Sequence, residues 1–283
     1  MTRVFAKDGG AMPANLQNVK LNVSRINKTF RVRNGSGRPS SLLPVLRDLS
    51  FDVYENEVVS LIGESGCGKT TLLRIVQGLV RHDAGTISVD GKEVKSAGRD
   101  RGFVFQQPSL LPWRTVRENV EFGLELQGTP AAERAERART LLALVGLGHA
   151  AEQFPHQLSG GMQQRVGLAR ALAIDPSILL MDEPFSALDA QTREVLQKEL
   201  LRIQAETRKT ILFVTHDLDE AIYLSNRIIV LGARPGRVKE IITLPFAGER
   251  PELPVMRGDP EFQAIRARIW DLIRSAPART VED

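Results

Sequence analysis

Cysteine is almost absent from this sequence. Cys67 is the only one among 283 residues, so no disulfide can form within the chain. Long apolar runs are missing as well: no stretch approaches the ~18 residues that a membrane-spanning helix needs, and the opening segment lacks the apolar run of a signal peptide. We therefore expect a chain that works in the reducing cytosol, does not cross a membrane and is not exported by a secretory signal.

A strong excess of charge of either sign is also lacking. The 38 Lys and Arg residues against 34 Asp and Glu residues give a formal net charge of +4, which fits a solvated Arg-rich surface and does not require a nucleic-acid or anionic-lipid partner. Internal repeats and long heptad-rich segments are absent too. Hydrophobic residues make up 42% of the chain, which is ordinary for a folded protein. The length allows one large α/β domain with a short appendage.

Apolar periodicity predicts the order of the structural elements. Residues 1–18 show no periodicity, and we expect a flexible N-terminal arm there. Residues 21–30 and 49–53 alternate apolar and polar side chains, which predicts two strands of an antiparallel edge sheet, and the Gly-, Ser- and Pro-rich stretch between them predicts a loop. Continuous apolar runs predict buried strands of a mainly parallel sheet, at residues 58–62, 178–181 and 210–216.

Helical patterns occupy the middle and the end of the chain. Residues from about 114 to 157 read as helical, and we expect a helical subdomain over about 107–165. Residues 246–283 are expected to form a short C-terminal helical extension, docked through an apolar stripe of Phe262, Ile265, Ile269, Leu272 and Ile273. The predicted fold class is α/β, with a mainly parallel sheet, an antiparallel edge sheet and a helical subdomain.

A glycine-rich segment joins the first buried strand to a helix. The letters GESGCGKT fit the phosphate-loop motif G-x-x-x-x-G-K-[ST], in the required strand-to-helix context. Glycine lets backbone N–H groups approach phosphate oxygens, and the helix N-terminus adds positive potential. We expect Lys69 to neutralise the β and γ oxygens of ATP and Thr70 to bind Mg²⁺. The motif predicts a P-loop NTPase core whose nucleotide site contains Gly63, Glu64, Ser65, Gly66, Cys67, Gly68, Lys69, Thr70 and Thr71.

Two acids end the second buried strand. Asp182 is placed to hold Mg²⁺ through water, and Glu183 to orient and polarise the water that attacks the γ-phosphate. Two carboxylates at a strand end are often ordinary surface acids. Beside a phosphate loop they instead predict the second half of an ATP-hydrolysing site.

A second candidate anion site lies at QLSGGMQQR. Ser159 is a good helix N-cap, and Gly160 and Gly161 leave amides exposed at a helix start. Here the sequence resembles the signature of the ABC-type ATPases. Two anion sites far apart in sequence predict one ATP held between the phosphate loop of one subunit and the Ser-Gly-Gly turn of another, in a two-fold dimer.

The resemblance spans residues 19–245 and implies roles for further residues. Phe30 corresponds to the aromatic residue, usually Tyr in the family, that stacks on adenine. Gln106 corresponds to the glutamine that contacts Mg²⁺ and senses the permease, and His216 to the histidine that contacts the γ-phosphate. Residues 186–189, ending at Asp189, correspond to the loop that crosses to the second subunit. The implied catalytic residues are Glu183, His216 and Gln106, and the implied metal-binding residues are Thr70, Gln106 and Asp182.

Three segments resemble one branch of the family, the importer ATPases for nitrate, sulfonate and taurine. They are LLPWRTVREN after Gln106, Met162 in SGGMQQR, and VLGARPGRV at 230–238. The resemblance implies an ATP-hydrolysing subunit that lies peripherally on the cytoplasmic face of the membrane, uses ATP and Mg²⁺, and imports a small anion or organic solute. Its expected partners are a second copy of itself, integral membrane permease subunits and, indirectly, a solute-binding protein.

The alternative is a non-transport ABC ATPase that acts on DNA or ribosomes. A DNA-acting member needs a long heptad-rich insertion, and a ribosome-acting member normally carries two cassettes on one chain. The sequence has neither the insertion nor the length for two cassettes. We therefore expect no nucleic-acid partner.

Overall fold

The computed structural model describes residues 18–32, 41–246 and 250–275. Within these ranges the strands are β1 (Val19–Val32), β2 (Ser41–Tyr54), β3 (Val58–Gly63), β4 (Ala84–Val89), β5 (Lys92–Glu93), β6 (Arg101–Val104), β7 (Ile178–Asp182), β8 (Thr210–Val214), β9 (Arg227–Leu231) and β10 (Val238–Thr243). The helices are α1 (Lys69–Gln77), α2 (Val116–Leu126), α3 (Ala131–Leu144), α4 (Gly160–Ala173), α5 (Ala190–Thr207), α6 (Leu218–Leu224), α7 (Leu253–Met256) and α8 (Pro260–Arg274).

The strands form two sheets, and the fold is α/β. The larger sheet has the order β10-β9-β3-β8-β7-β6, with every neighbouring pair parallel except β9 and β10. The smaller sheet is antiparallel, in the order β2-β1-β4-β5. The first predicted edge strand, 21–30, lies in the middle of the longer strand β1, and the second, 49–53, is the C-terminal part of β2. The two strands pair with each other along most of their length.

The core lies on both faces of the larger sheet. In β3, Val58 and Ile62 face one hydrophobic cluster, formed with helices α2 to α6, while Val59 and Leu61 face another, formed with α1 and the antiparallel sheet. Strands β7, β8 and β9 divide their side chains in the same way. This double burial explains why these segments read as continuous apolar runs. Burying each Val, Leu or Ile side chain contributes about 1.5–3 kcal/mol.

The helical region is shorter and more broken than its sequence pattern predicts. Helix α2 begins at a capping box between Thr115 and Glu118, and α3 starts directly after Pro130. Between α3 and α4 the chain makes only two single-turn 3-10 helices, Gly148–Ala150 and Pro155–Gln157. The predicted helical region over 114–157 therefore consists of two helices and two 3-10 turns. Helix α2 ends at Leu126 because the chain turns at Gly128, which has a φ of 74°, before Pro130 leads into α3.

The C-terminal helices pack onto the body of the protein. Helix α8 begins at Asp259, whose carboxylate accepts hydrogen bonds from the backbone N–H of Glu261 and Phe262. Phe262 and Ile269 are fully buried, and the other three residues of the predicted stripe pack against the same core. None of the helices in the described ranges is long and apolar enough to span a bilayer.

Some predicted segments lie partly or wholly outside the described residues. The predicted arm lies outside the described residues except for Asn18, whose carbonyl accepts a hydrogen bond from the backbone N–H of Glu55. The predicted loop between β1 and β2, residues 34–41, also lies outside them except for Ser41, which begins β2. Residues 247–249 and 276–283 of the C-terminal extension lie outside them as well.

Candidate active site

The predicted phosphate loop and acids lie at one edge of the larger sheet. β3 runs into the glycine loop at Gly63, and β8 lies between β3 and β7, which ends at Asp182. The backbone N–H of Glu183 donates to the carbonyl of Val214 over 2.9 Å, which holds the acids beside the end of β8. His216 follows two residues later. The carboxyl ends of three parallel strands thus bring the loop, the two acids and the histidine together, as open α/β sheets do at their ligand sites.

The glycine loop depends on left-handed backbone at two positions. Gly66 has a φ of 81° and Gly68 a φ of 102°, both of which L side chains rarely adopt. A Cβ on Gly68 would lie 2.6 Å from Cδ2 of Leu46, in the packed cluster beneath the loop. Glycine at these positions therefore allows both the bend of the loop and its close packing.

Lys69 is buried beneath the loop. Its Nζ donates to the carbonyls of Gly63 over 2.8 Å and Glu64 over 3.1 Å. A cleft of about 340 Å³ opens above it. The cleft is lined by the predicted residues Phe30, Ser65, Gly66, Gly68, Lys69, Thr70, Thr71 and Glu183, together with Val45 and Arg234.

Cys67 is packed behind the loop and is 1% exposed. Burial raises the pKa of its thiol, against the opposing charge of Lys69. A buried, protonated thiol is a poor nucleophile. Cys67 therefore acts here as a small residue that fits the loop, and a thiol reagent has to open the loop to reach it.

Thr70 and Asp182 meet on the floor of the site. The Thr70 hydroxyl donates to Oδ1 of Asp182 over 3.1 Å. Burial raises the pKa of the Asp182 carboxyl, and the neighbouring charge of Glu183 adds to the rise, while the hydrogen bond from Thr70 opposes it. A buried carboxylate beside a second acid is more stable with a cation next to it.

These two oxygens fit Mg²⁺ better than they fit a transition metal. Mg²⁺ takes hard oxygen ligands, and in nucleotide sites it uses one or two protein groups together with phosphate oxygens and water. Among the described residues no cluster of three His, Cys, Asp or Glu side chains could hold a metal by itself. The pair of Thr70 and Asp182 is therefore a suitable donor set for Mg²⁺ carried by a nucleotide.

Glu183 and His216 form a hydrogen-bonded pair. His216 Nδ1 lies 3.2 Å from Oε2 of Glu183, and the imidazole is 61% exposed. Glu183 itself has a φ of 46°, in the left-handed region that non-glycine residues enter at a cost of about 1–3 kcal/mol. This backbone conformation directs the Glu183 side chain into the cleft that Lys69 underlies.

Gln106 lies near the acids but contacts them indirectly. Its Nε2 donates to the Ser186 hydroxyl over 3.1 Å, and that hydroxyl donates to the Glu183 carbonyl over 2.9 Å. This chain of bonds connects Gln106 to the residues that begin the 186–189 loop. The metal-binding and catalytic roles of Gln106 stay predictions.

The Ser-Gly-Gly turn faces a different part of the surface. Ser159 caps α4 by accepting the backbone N–H of Met162 over 3.3 Å, as predicted. A Cβ on Gly161 would lie 2.6 Å from Cγ2 of Thr192, so the start of α4 packs closely on α5. Ser159, Gly160 and Gly161 are not among the residues that line the Lys69 cleft of their own chain.

Asp189 begins α5 beside this turn. Its carboxylate accepts the backbone N–H of Thr192 over 2.9 Å, and this hydrogen bond lowers the pKa of the exposed Asp189 side chain. A helix N-cap fixes the exit of the 186–189 loop. The contact of Asp189 with a second subunit stays a prediction.

Arg234 is a cleft residue that sequence reasoning missed. Its Nε donates to the carbonyl of Gly66 over 3.1 Å, so a guanidinium lies against the phosphate loop. In the sequence, residues 230–238 are only a marker of one family branch. A basic residue beside a Pro-Gly turn after the last parallel strand is a weak signal, which does not by itself indicate a phosphate contact.

Comparisons with known proteins agree with this site. A family model described as ABC transporter matches residues 46–186. An uncharacterized ABC transporter ATP-binding protein of Methanocaldococcus jannaschii is 49% identical over 98% of this chain and 99% of its own length. A nitrate import ATP-binding protein of Synechocystis is 42% identical over 93% and 98% of the two chains. A taurine import ATP-binding protein of Pseudomonas entomophila is 46% identical over 82% and 90%.

A solved structure with the same fold is a dimer. An ATP-binding cassette dimer in a post-hydrolysis state, bound to ADP and phosphate, matches 80% of this chain and all of its own chain, at 34% identity and a TM-score of 0.68. This chain therefore belongs to the ABC transporter ATP-binding family and is an ABC-type ATPase.

Proposed function

We propose that this ATPase binds Mg-ATP between two copies of itself and energises an importer for a small anion or organic solute of the nitrate, sulfonate or taurine kind. Relatives named for nitrate and taurine import support the solute class. The chain would lie on the cytoplasmic face of the membrane, bound to permease subunits and served indirectly by a solute-binding protein.

The separation of the two anion-binding segments carries the dimer proposal. Lys69 underlies one cleft, and the Ser159 turn is absent from the lining of that cleft. An exposed, capped helix start has free N–H groups that favour an anion. A second copy related by two-fold symmetry can place its Ser159 turn over the first copy's Lys69 cleft, and the reverse contact then forms as well.

The chemistry follows from the residues in the cleft. Lys69 and the loop N–H groups hold the phosphates, and Thr70 and Asp182 hold Mg²⁺, which when bound neutralises phosphate oxygens. Glu183 accepts a hydrogen bond from the attacking water and aligns it with the γ-phosphate. His216, 3.2 Å from Glu183, orients that carboxylate, and its other ring nitrogen is free to contact the γ-phosphate.

A set of hydrogen bonds connects this chemistry to a candidate permease contact. The Gln164 side chain on α4 donates to the carbonyl of Phe105 over 3.1 Å, and Arg170 on the same helix donates to the carbonyls of Pro108 and Ser109 over 2.6 and 2.9 Å. The segment after Gln106 is thus fixed to the helix that Ser159 begins. Movement of the Ser159 turn during dimer closure would move this segment and the exposed Trp113 beyond it.

Two substitutions test whether the site is shared between chains. In a Glu183→Gln background, Mg-ATP should convert monomers to dimers in sedimentation velocity. Adding Ser159→Arg should abolish the dimer and leave the ATP affinity of the monomer unchanged, because Ser159 serves the other chain's nucleotide. Adding Lys69→Ala should instead weaken ATP binding by the monomer and abolish the dimer as well. Equal loss of ATP affinity in both variants would place Ser159 in its own chain's site and contradict the proposal.

The transport role needs a separate experiment. Tagged protein should copurify with an integral membrane permease, and its deletion should stop growth on the imported nitrate, sulfonate or taurine as nitrogen or sulfur source. Cosedimentation with ribosomes or DNA, without a copurifying permease, would instead support the non-transport alternative.

A further inference from the structure

One arginine on α5 contacts both loops that flank the catalytic acids. Arg193 Nη2 donates to the carbonyl of Leu188 over 3.0 Å, and Nη1 lies 3.7 Å from Oδ2 of Asp217. Leu188 belongs to the 186–189 loop, and Asp217 directly follows His216. The planar guanidinium, with several N–H donors, suits a residue that spans two acceptors.

Residues on both sides of His216 are held by a polar network. The backbone N–H of Asp217 donates to the Thr215 hydroxyl over 3.0 Å, and the Asp217 carboxylate caps α6 by accepting the N–H of Glu220 over 3.1 Å. One turn after Arg193, the buried Gln197 amide donates to the buried Glu220 carboxyl over 2.9 Å. Helix α5 therefore contacts the start of α6 at two successive turns.

We infer that Arg193 is a positioning residue that links the 186–189 loop to His216 within one protomer. A shift of Leu188 moves the acceptor of one Arg193 bond, and the pairing with Asp217 transfers that shift to the residue next to His216. His216 in turn orients Glu183. This inference rests on the proposed dimer. When a partner subunit contacts the 186–189 loop, Arg193 positions His216 for hydrolysis, which gives that loop a second effect.

Arg193→Ala tests this role in ATPase assays at saturating Mg-ATP. We expect kcat to fall about tenfold, the scale of one lost charge-assisted hydrogen bond, with the KM for ATP and the thermal midpoint near wild-type values. Arg193→Lys, which keeps the positive charge but not the planar guanidinium, should recover part of kcat. Arg202→Ala is the matched control, because Arg202 lies on the same helix and its contacts with Glu199, Glu206 and the carbonyl of Leu144 include neither loop. Its kcat should be unchanged.

Double-mutant cycles distinguish a specific link from a general structural effect. Asp217→Asn keeps an oxygen that can cap α6 but removes the charge, so the double variant Arg193→Ala with Asp217→Asn should be no slower than the slower single variant. In single-turnover hydrolysis with enzyme in excess, Arg193→Ala should add no further loss to His216→Ala. Additive losses in either cycle, or a tenfold loss in Arg202→Ala, would overturn the inference.

A failure of the dimer proposal would look different. Glu183→Gln combined with Arg193→Ala should still form the Mg-ATP dimer, because Arg193 acts after the subunits meet. A Glu183→Gln protein that never dimerises would refute the proposed function, whereas both cycles can still be measured in whatever oligomer hydrolyses ATP. Loss of the dimer only in the Arg193→Ala combination would overturn the inference itself.

Discussion

Substituting Gly68 by alanine should destabilise the protein more than the same change at Gly91. Both glycines have positive φ, 102° and 72°, so each alanine has a backbone cost of about 1–2 kcal/mol. The two positions differ in the room available for a Cβ atom. A Cβ on Gly91 has no neighbour within 4 Å, whereas a Cβ on Gly68 would lie 2.6 Å from the buried Leu46 and 3.2 Å from the carbonyl of Val45. Overpacking of this kind adds about 1–3 kcal/mol. The expected totals are about 1–2 kcal/mol for Gly91→Ala and about 2–5 kcal/mol for Gly68→Ala.

Urea unfolding of both variants measures this difference, and equilibrium titration with Mg-ATP measures its effect on the site. Because the loop must move to admit the Cβ, at least one N–H to phosphate bond should be lost in Gly68→Ala, which corresponds to an affinity about tenfold weaker. Gly91→Ala should bind ATP as the wild type does. Equal losses of stability in the two variants, or unchanged ATP affinity in Gly68→Ala, would refute the account of the loop.

Three further predictions concern charged residues. Glu183→Gln should bind ATP with wild-type affinity but lose about 10²- to 10⁴-fold in steady-state turnover. Normal turnover in this variant would contradict the role of Glu183 in activating the attacking water. Lys69→Ala should weaken ATP binding itself in equilibrium titration, and an unchanged Kd would count against the phosphate site. Burial raises the pKa of the Glu220 carboxyl, so the folded protein binds that proton more tightly than the unfolded chain, and this stabilisation is lost as the pH rises through the folded pKa. The free energy of unfolding of the wild type relative to Glu220→Gln should therefore fall as the pH rises above the ordinary pKa of a glutamic acid, about 4.3; a difference independent of pH would contradict this.

The phosphate site was predictable because its determinants are local. The strand, the glycines at fixed spacing, Lys69 and the helix start all lie within one short segment, and the structure places them around one cleft. The larger sheet was predictable for a related reason, since strands buried on both faces carry apolar side chains at most positions. Asp182 and Glu183 end such a strand, so their location followed from the run before them.

Features that depend on contacts between distant segments were not predictable. The full lengths of β1 and β2 follow from their pairing with each other, which extends both beyond their apolar alternation. Arg234 reaches the phosphate loop from a segment 168 residues away. Arg193 resembles any exposed arginine near a helix start until the fold brings Leu188 and Asp217 beside it.

Cysteine cross-linking tests the shared ATP site most directly. In a Cys67→Ser, Glu183→Gln background, Ser65→Cys would be placed in one chain and Ser159→Cys in a second chain of different tagged size. A thiol-reactive bismaleimide long enough to reach past the bound nucleotide should link the two chains into a heterodimer on denaturing gels only when Mg-ATP is added. Absence of the heterodimer at saturating Mg-ATP, or equal cross-linking without nucleotide, would contradict an ATP held between the phosphate loop of one copy and the Ser159 turn of the other.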